Sequence, residues 1–197
     1  MDSITGQPDL VSRPRLHRKG LLREGVQTLL FLVGVYLLLE MAIPRSVVLS
    51  ISMEPTLIAD QRLIISRVSY LLGNPARGDI VVFTPPNVPA SDPPLIKRLI
   101  GLPGETIEFR DTVVYINGVK LDEPYINEPC VASSCPNETI QLGEDEYFFM
   151  GDNRNHSHDS RAFGPIRRGA IMGRAIIRWW PPPKWGILFY NYGDPQH

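Results

Sequence analysis

Leu95-Ile96-Lys97-Arg98-Leu99-Ile100-Gly101-Leu102 is a short apolar run, stopped by Pro103-Gly104, with a lysine set into it. A run of this length, rich in branched side chains and bounded by a loop and a Pro-Gly turn, reads as a strand buried on at least one face. Two readings of Lys97 are open from the run alone. It is either a solvated residue on a strand edge or a desolvated amine. In the second case burial disfavours the ammonium and lowers a pKa that is otherwise about 10.4, so that the amine can accept a proton.

The neighbouring segments repeat the strand pattern. Arg62-Leu63-Ile64-Ile65-Ser66-Arg67-Val68 is a β-branched run, and Arg77-Gly78-Asp79 is a turn that feeds Ile80-Val81-Val82-Phe83. Thr84 to Pro94 is a proline-rich loop. Glu105 to Phe109 and Val113 to Ile116 form a hairpin leading into an Asn117-Gly118 turn. Glu146 to Met150 is a buried strand that delivers the loop at Gly151, and Ile171 to Trp180 is the final strand. Nineteen prolines and sixteen glycines in 197 residues favour short strands over a helical bundle. The expected fold class is all-β, preceded by one N-terminal transmembrane helix.

That helix is the apolar segment 26–43, which follows a basic stretch, 1–25, carrying Arg13, Arg15, Arg18, Lys19 and Arg23. The segment is short for a full span of about 20 apolar residues and has Glu40 near its far end. A cleaved signal peptide would start in the same way but end in small residues, whereas Met41-Ala42-Ile43-Pro44-Arg45 follows here. The expectation is an uncleaved anchor, with the basic flank in the cytoplasm and everything after Pro44 outside. A net charge of -1 gives no reason to expect nucleic acid as a partner. Cys130 and Cys135 read as a local disulfide if they face an oxidising compartment, and otherwise as two free thiols.

Just past the apolar segment lies Ser50-Ile51-Ser52-Met53-Glu54-Pro55-Thr56-Leu57. A serine near a proline is usually a turn or a cap. With a buried lysine downstream and a polar, turn-rich segment over 151–161, the sequence suggests a Ser–Lys hydrolase held against a membrane. Ser157 could equally cap a turn. Asp152, His156, His158 and Asp159 could be metal ligands, since alternating residues of a strand share a face. The segment reads as a loop, and no metal or other cofactor is expected.

Together these segments resemble the type I signal peptidases, membrane-bound enzymes that remove leader peptides from exported proteins. Four boxes in that family's order carry the resemblance: 50–57, 77–83, 97–105, and Gly151-Asp152-Asn153-Arg154 through Ser157, Asp159, Ser160 and Arg161. The resemblance implies Ser52 as nucleophile and Lys97 as general base. It implies an oxyanion hole made by the Ser52 N–H and the Ser50 hydroxyl, and Ser157 as the hydroxyl that orients the lysine amine. Asp159 and Arg161 would be a supporting ion pair. It also implies a β-rich catalytic domain, 44–104 and 144–197, with a small β lobe inserted at 105–143. The cysteine pair falls near where some relatives carry a disulfide.

The substrates implied are preprotein signal peptides, lying extended along a strand edge with small residues before the cleaved bond. Met53, Leu57 and Ile96 are the candidates for closing the small pockets. Trp179, Trp180, Trp185, Phe189 and Tyr190 form either a surface resting on the lipid bilayer or ordinary packing of the last strand. The protein is expected to be monomeric, in a plasma or thylakoid membrane. Two rivals are weaker. A self-cleaving repressor needs a DNA-binding module that 25 residues cannot hold, and a tethered binding domain has no need for an intact Ser50, Ser52, Lys97 and Ser157. Departures from the family pattern are Ala59-Asp60, where a glycine often precedes the aspartate, and Ile51 between the two serines.

Overall fold

The computed structural model describes residues 18–42, 45–86, 88–89 and 92–188. It separates into two units, Met1–Glu40 and Met41–His197.

The described part of the first unit is helical, within α1, Arg18–Ala42, whose last two residues are counted with the second unit. It begins earlier than the apolar segment, because lysine, arginine, leucine and glutamate are all good helix formers and extend it toward the N-terminus. Leu29, Leu30, Phe31, Leu32, Tyr36, Leu37, Leu38 and Leu39 are exposed around its whole circumference. Yet no helix among the described residues is long and apolar enough to cross a membrane. The physical reason is charge at both ends. Arg23 and Glu24 on one side and Glu40 on the other leave only residues 25–39 uncharged, roughly 22 Å of helix against about 30 Å of hydrocarbon. Arg13, Arg15, Ile43, Pro44, Phe189 and Tyr190 lie outside the described residues.

The second unit is built from two sheets. Its strands are β1 (Arg45–Val47), β2 (Arg62–Ser66), β3 (Ile80–Phe83), β4 (Leu95–Gly101), β5 (Thr106–Arg110) and β6 (Val113–Ile116). They continue as β7 (Val119–Lys120), β8 (Glu138–Gln141), β9 (Glu146–Met150), β10 (Ile166–Arg167), β11 (Ile171–Trp180) and β12 (Gly186–Ile187). Among the described residues the larger sheet runs β1-β2-β11-β3-β4-β9-β10, with β12 against β11. Two one-turn helices, α2 (Ser69–Leu72) and α3 (Ser160–Phe163), punctuate it. All four residues of β3 are buried, as expected of a central strand with unbroken Ile-Val-Val-Phe. β4, the lysine strand, lies between β3 and β9.

The smaller sheet, β7-β6-β5-β8, falls within the segment expected to be an inserted lobe. Asn117 (φ 50°) and Gly118 (φ 80°) form its β6–β7 turn. A two-residue turn with both φ values positive matches the right-handed twist of the flanking strands, and Asn-Gly tolerates it best. Ile107, Phe109, Val114 and Ile116 of this sheet share one core with Ile100 of β4 and Phe148 and Met150 of β9. The lobe is therefore packed onto the two strands that carry the site. Cys130 and Cys135 are disulfide-bonded and buried in the same core.

Candidate active site

Ser50 and Ser52 stand in the turn-rich segment after β1. The segment is nailed down by Met53 and Leu57, which are wholly buried against Val48, Leu63, Ile65, Ile80 and Val82. The Leu57 N–H donates to the Met53 carbonyl at 2.8 Å, which closes the turn between them. From the other side Asn153 grips the same segment. Its backbone N–H donates to the Ser52 carbonyl at 3.1 Å and its side-chain amide to the Ile51 carbonyl at 3.2 Å.

Lys97 pairs across the sheet with Val81 of β3 and is 3 % exposed. Its Nζ donates to Ser52 Oγ at 2.7 Å and to the Ile96 carbonyl at 3.2 Å. Ser50 Oγ lies 3.1 Å from Ser52 Oγ. Burial pulls the Lys97 pKa down from its ordinary value to about 8, against the opposing pull of the Asp159 and Asp152 carboxylates. A substantial share of the amine is thus neutral near physiological pH, within hydrogen-bond reach of a serine hydroxyl.

The strand β9 ends at Met150 and hands over to Gly151, which lies against the Ser52 backbone. The Gly151 N–H donates to Asp159 Oδ2 at 2.9 Å. Asp159 caps α3 by accepting from the Arg161 N–H at 3.2 Å, and it accepts from Arg161 Nε at 2.9 Å and Nη2 at 2.8 Å. Burial alone would raise the Asp159 carboxyl, but the Arg161 guanidinium, the Gly151 N–H and the nearby Ser157 hydroxyl together hold it below the usual carboxylate range. Arg161 also donates through Nη1 to the Ser134 carbonyl at 2.9 Å, inside the disulfide loop.

Ser157 Oγ is buried without a hydrogen-bond partner, close enough to Asp159 to help lower its carboxyl. The Ile96 carbonyl is the second acceptor of the lysine amine, after Ser52 Oγ. The residues weighed as metal ligands are engaged elsewhere. Asp152 is paired with Arg98 and Asp159 with Arg161, His156 Nδ1 lies 3.2 Å from Asn153 Oδ1, and His158 packs edge-on against Phe163.

A cleft of about 460 Å³ opens beside the two serines, lined in part by Val47, Leu49, Met53 and Ile96, together with Ser50 and Lys97. Met53 and Ile96, two of the candidates for closing small pockets, thus line this cleft. Leu57 does not reach the cleft. It is 0 % exposed, beneath the loop, because the turn that starts at Met53 points it into the core.

The model of the family described as signal peptidase, peptidase S26, matches residues 22–180. The chain belongs to this family, among the type I signal peptidases. It is 44 % identical over 142 residues to a probable signal peptidase I-2 of Synechocystis sp., a match covering 71 % of this chain and 64 % of that protein. It is 38 % identical over 177 residues to a signal peptidase I of Leptolyngbya laminosa, covering 85 % of this chain and 84 % of that one. It is 33 % identical over 159 residues to the thylakoidal processing peptidase 1, chloroplastic, of Arabidopsis thaliana, covering 77 % and 46 %.

Around these residues stands a second set of side chains, in which Asp152 and Arg154 tie the 151–161 loop to its neighbours and Arg98, Glu123 and Tyr125 are partners that sequence reasoning passed over. Arg98, the residue after the lysine, donates to Asp152 through Nε at 2.8 Å and Nη2 at 2.6 Å. Its guanidinium lies 4.1 Å from the ring centre of Tyr125, in the lobe. Arg154 forks onto Glu123, two residues from that tyrosine, and donates to the Gly151 carbonyl at 3.0 Å. One signal was available. An arginine in the middle of a buried strand must have a carboxylate partner, and Asp152 stood in the last box.

Proposed function

We propose that this chain is a membrane-anchored serine endopeptidase that cleaves N-terminal signal peptides from exported preproteins by acyl transfer. The observation that carries this reading is the 2.7 Å contact between Ser52 Oγ and a buried lysine with a pKa of about 8. Lys97 Nζ takes the Ser52 proton as Oγ attacks the scissile carbonyl. The oxyanion is received by the Ser52 N–H and the Ser50 hydroxyl, donors already fixed before the charge develops. Collapse breaks the C–N bond, and the Lys97 ammonium returns the proton to the departing amine of the mature chain. An ester on Ser52 remains. Lys97 then deprotonates a water, whose attack releases the signal peptide as a carboxylate and restores the Ser52 hydroxyl. Ser157, unpartnered at rest and close against Gly151, supplies a second contact to the lysine during turnover. Asp159 and Arg161 hold the Gly151 loop in place.

The apolar cleft suits an extended peptide with small side chains before the cleaved bond, added beside an exposed strand edge. One copy of the chain is sufficient, with no metal and no nucleic acid. For α1 the reading is a short anchor, apolar on every face, whose terminal charges reach the interface by snorkelling while the bilayer thins around it. Trp180, Trp185 and Ile187 are exposed and would rest at the lipid surface. The cyanobacterial and chloroplast relatives favour a plasma or thylakoid membrane, with the N-terminus cytoplasmic and the catalytic unit on the outer face. Incubation of the detergent-solubilised protein with a model preprotein tests the reading. Release of the mature chain supports it, and binding without cleavage would make the protein a tethered receptor instead.

A further inference from the structure

Asp152 lies between Gly151 and Asn153, which both touch the Ser52 backbone beside Lys97, and it and Asp159 are each bound by an arginine fork. We propose that Arg98 is a positioning residue for the base: by holding Asp152 in a bidentate ion pair, it keeps that carboxylate's charge from fixing Lys97 as an ammonium. This rests on Lys97 being the general base.

The geometry is that of a rigid, dry pair. Arg98 is 2 % exposed and Asp152 1 %. Both carboxylate oxygens are engaged by the fork, at 2.8 and 2.6 Å. The guanidinium is further held by the Gly78 carbonyl at 2.9 Å, the Thr56 hydroxyl at 3.3 Å and the face of Tyr125 at 4.1 Å. A planar fork that is charged at every working pH suits this task. A lysine could meet only one oxygen at a time.

The groups facing the base from each packed element are few. The loop of 151–161 contributes Asp152 and Asp159, the latter paired with Arg161 at 2.8 Å. Arg98, next to Lys97 in β4, reaches the base only through Asp152, since adjacent strand residues point to opposite faces, and β3 places Val81 opposite the lysine. Asp79, at the turn into β3, is engaged by the Tyr70 hydroxyl at 2.9 Å and by Arg174 at 3.0 Å. The serine loop offers the hydroxyls of Ser50 and Ser52. With its arginine in place, each carboxylate presents the lysine with a neutral pair rather than a bare charge. An uncompensated carboxylate in so dry a site stabilises a nearby ammonium strongly. Lys97 would then be protonated and unable to accept from Ser52.

The test is kcat/KM against pH, from 6 to 10.5, for the full chain in detergent. The proteins compared are wild type, Arg98→Met, Asp152→Asn, the double variant and Lys97→Ala. Arg98→Met is expected to move the rising midpoint upward by roughly one pH unit, as an opposite charge set near a titrating group does. Asp152→Asn is expected to move it downward, and the double variant to return it to the wild-type position or just below. If both single variants only lower the plateau and leave the midpoint in place, Arg98 merely braces the fold and the proposal is wrong. Should Arg98→Met fail to give a cooperative thermal transition, Asp152→Asn decides by itself. A downward midpoint supports the proposal, and an unmoved or raised one overturns it. Activity persisting in Lys97→Ala overturns the base assignment and this inference with it. An unmoved midpoint beside an inactive Lys97→Ala overturns this inference alone.

Discussion

Gly151 passes so close to Ser52 that a Cβ on it would lie 2.4 Å from the Ser52 carbonyl oxygen, and 2.3 Å from Ser157 Oγ. The carbonyl has nowhere to retreat, since the Asn153 N–H holds it at 3.1 Å. The Ser52 loop and the Gly151 loop thus meet backbone to backbone, and only glycine allows it. Gly151→Ala should lower kcat at least 100-fold by displacing Ser52, and cost about 1–3 kcal/mol of stability through overpacking. Thermal unfolding and steady-state cleavage measured on the same preparation check both parts.

Ser50 can be tested separately from Ser52 and Lys97. Its hydroxyl lies beside Ser52 Oγ at 3.1 Å and is one of two proposed oxyanion donors. Ser50→Ala should reduce kcat by about 10²-fold, close to 3 kcal/mol of barrier, with little change in KM or in unfolding temperature. A variant with unchanged kcat would remove Ser50 from the oxyanion hole.

Lys97 should weaken the fold that holds it. Its folded pKa of about 8 lies below the ordinary value of 10.5, so the unfolded chain binds more protons between those two pH values. The cost is fully present below pH 8 and fades as pH rises toward 10.5. Lys97→Met should therefore raise the unfolding free energy at pH 7 by an amount on the order of 2 kcal/mol, a gain that shrinks by pH 10.5. Denaturant melts at the two pH values test the sign directly.

The disulfide bears on the site through Arg161, whose Nη1 contacts Cys130 Sγ at 3.4 Å, Cys135 Sγ at 3.3 Å and the Ser134 carbonyl at 2.9 Å. Cys130→Ser/Cys135→Ser should destabilise the protein by roughly 2 kcal/mol. It should also reduce kcat several-fold, because Arg161 then holds Asp159 and the Gly151 loop less firmly. Loss of stability with wild-type kcat would show that the bridge serves the lobe alone.

Much of this was legible before the fold, for reasons that differ residue by residue. The lysine strand announced itself because its apolar run is short and ends in Pro-Gly, and the β6–β7 turn because Asn-Gly tolerates two positive φ values. Ser50, Ser52 and Lys97 came from the order of the boxes, since no local propensity brings residues 45 positions apart to 2.7 Å. Side-chain direction was not legible. Nothing in the spacing says whether Ser157 Oγ faces the amine, or that Leu57 turns into the core while Met53 borders the cleft. Nor could the sequence pair Arg154 with Glu123, since those partners meet only when the lobe packs onto β4 and β9, whereas Arg98 meets Asp152 because β4 pairs directly with β9, Arg98 opposite Met150. The apolar segment showed a helix plainly, but its length in an uncharged state depended on where α1 began and on Glu40.

The measurement that tests the Ser–Lys assignment most directly is preprotein cleavage from pH 6 to pH 10 by wild type, Ser52→Ala and Lys97→Ala, each shown to be folded. The assignment predicts that wild type cleaves after a small residue with a rate that rises through about pH 8, as the buried amine loses its proton. It predicts that both variants are inactive throughout. Cleavage by Lys97→Ala, or a wild-type rate that stays flat across that range, would contradict it.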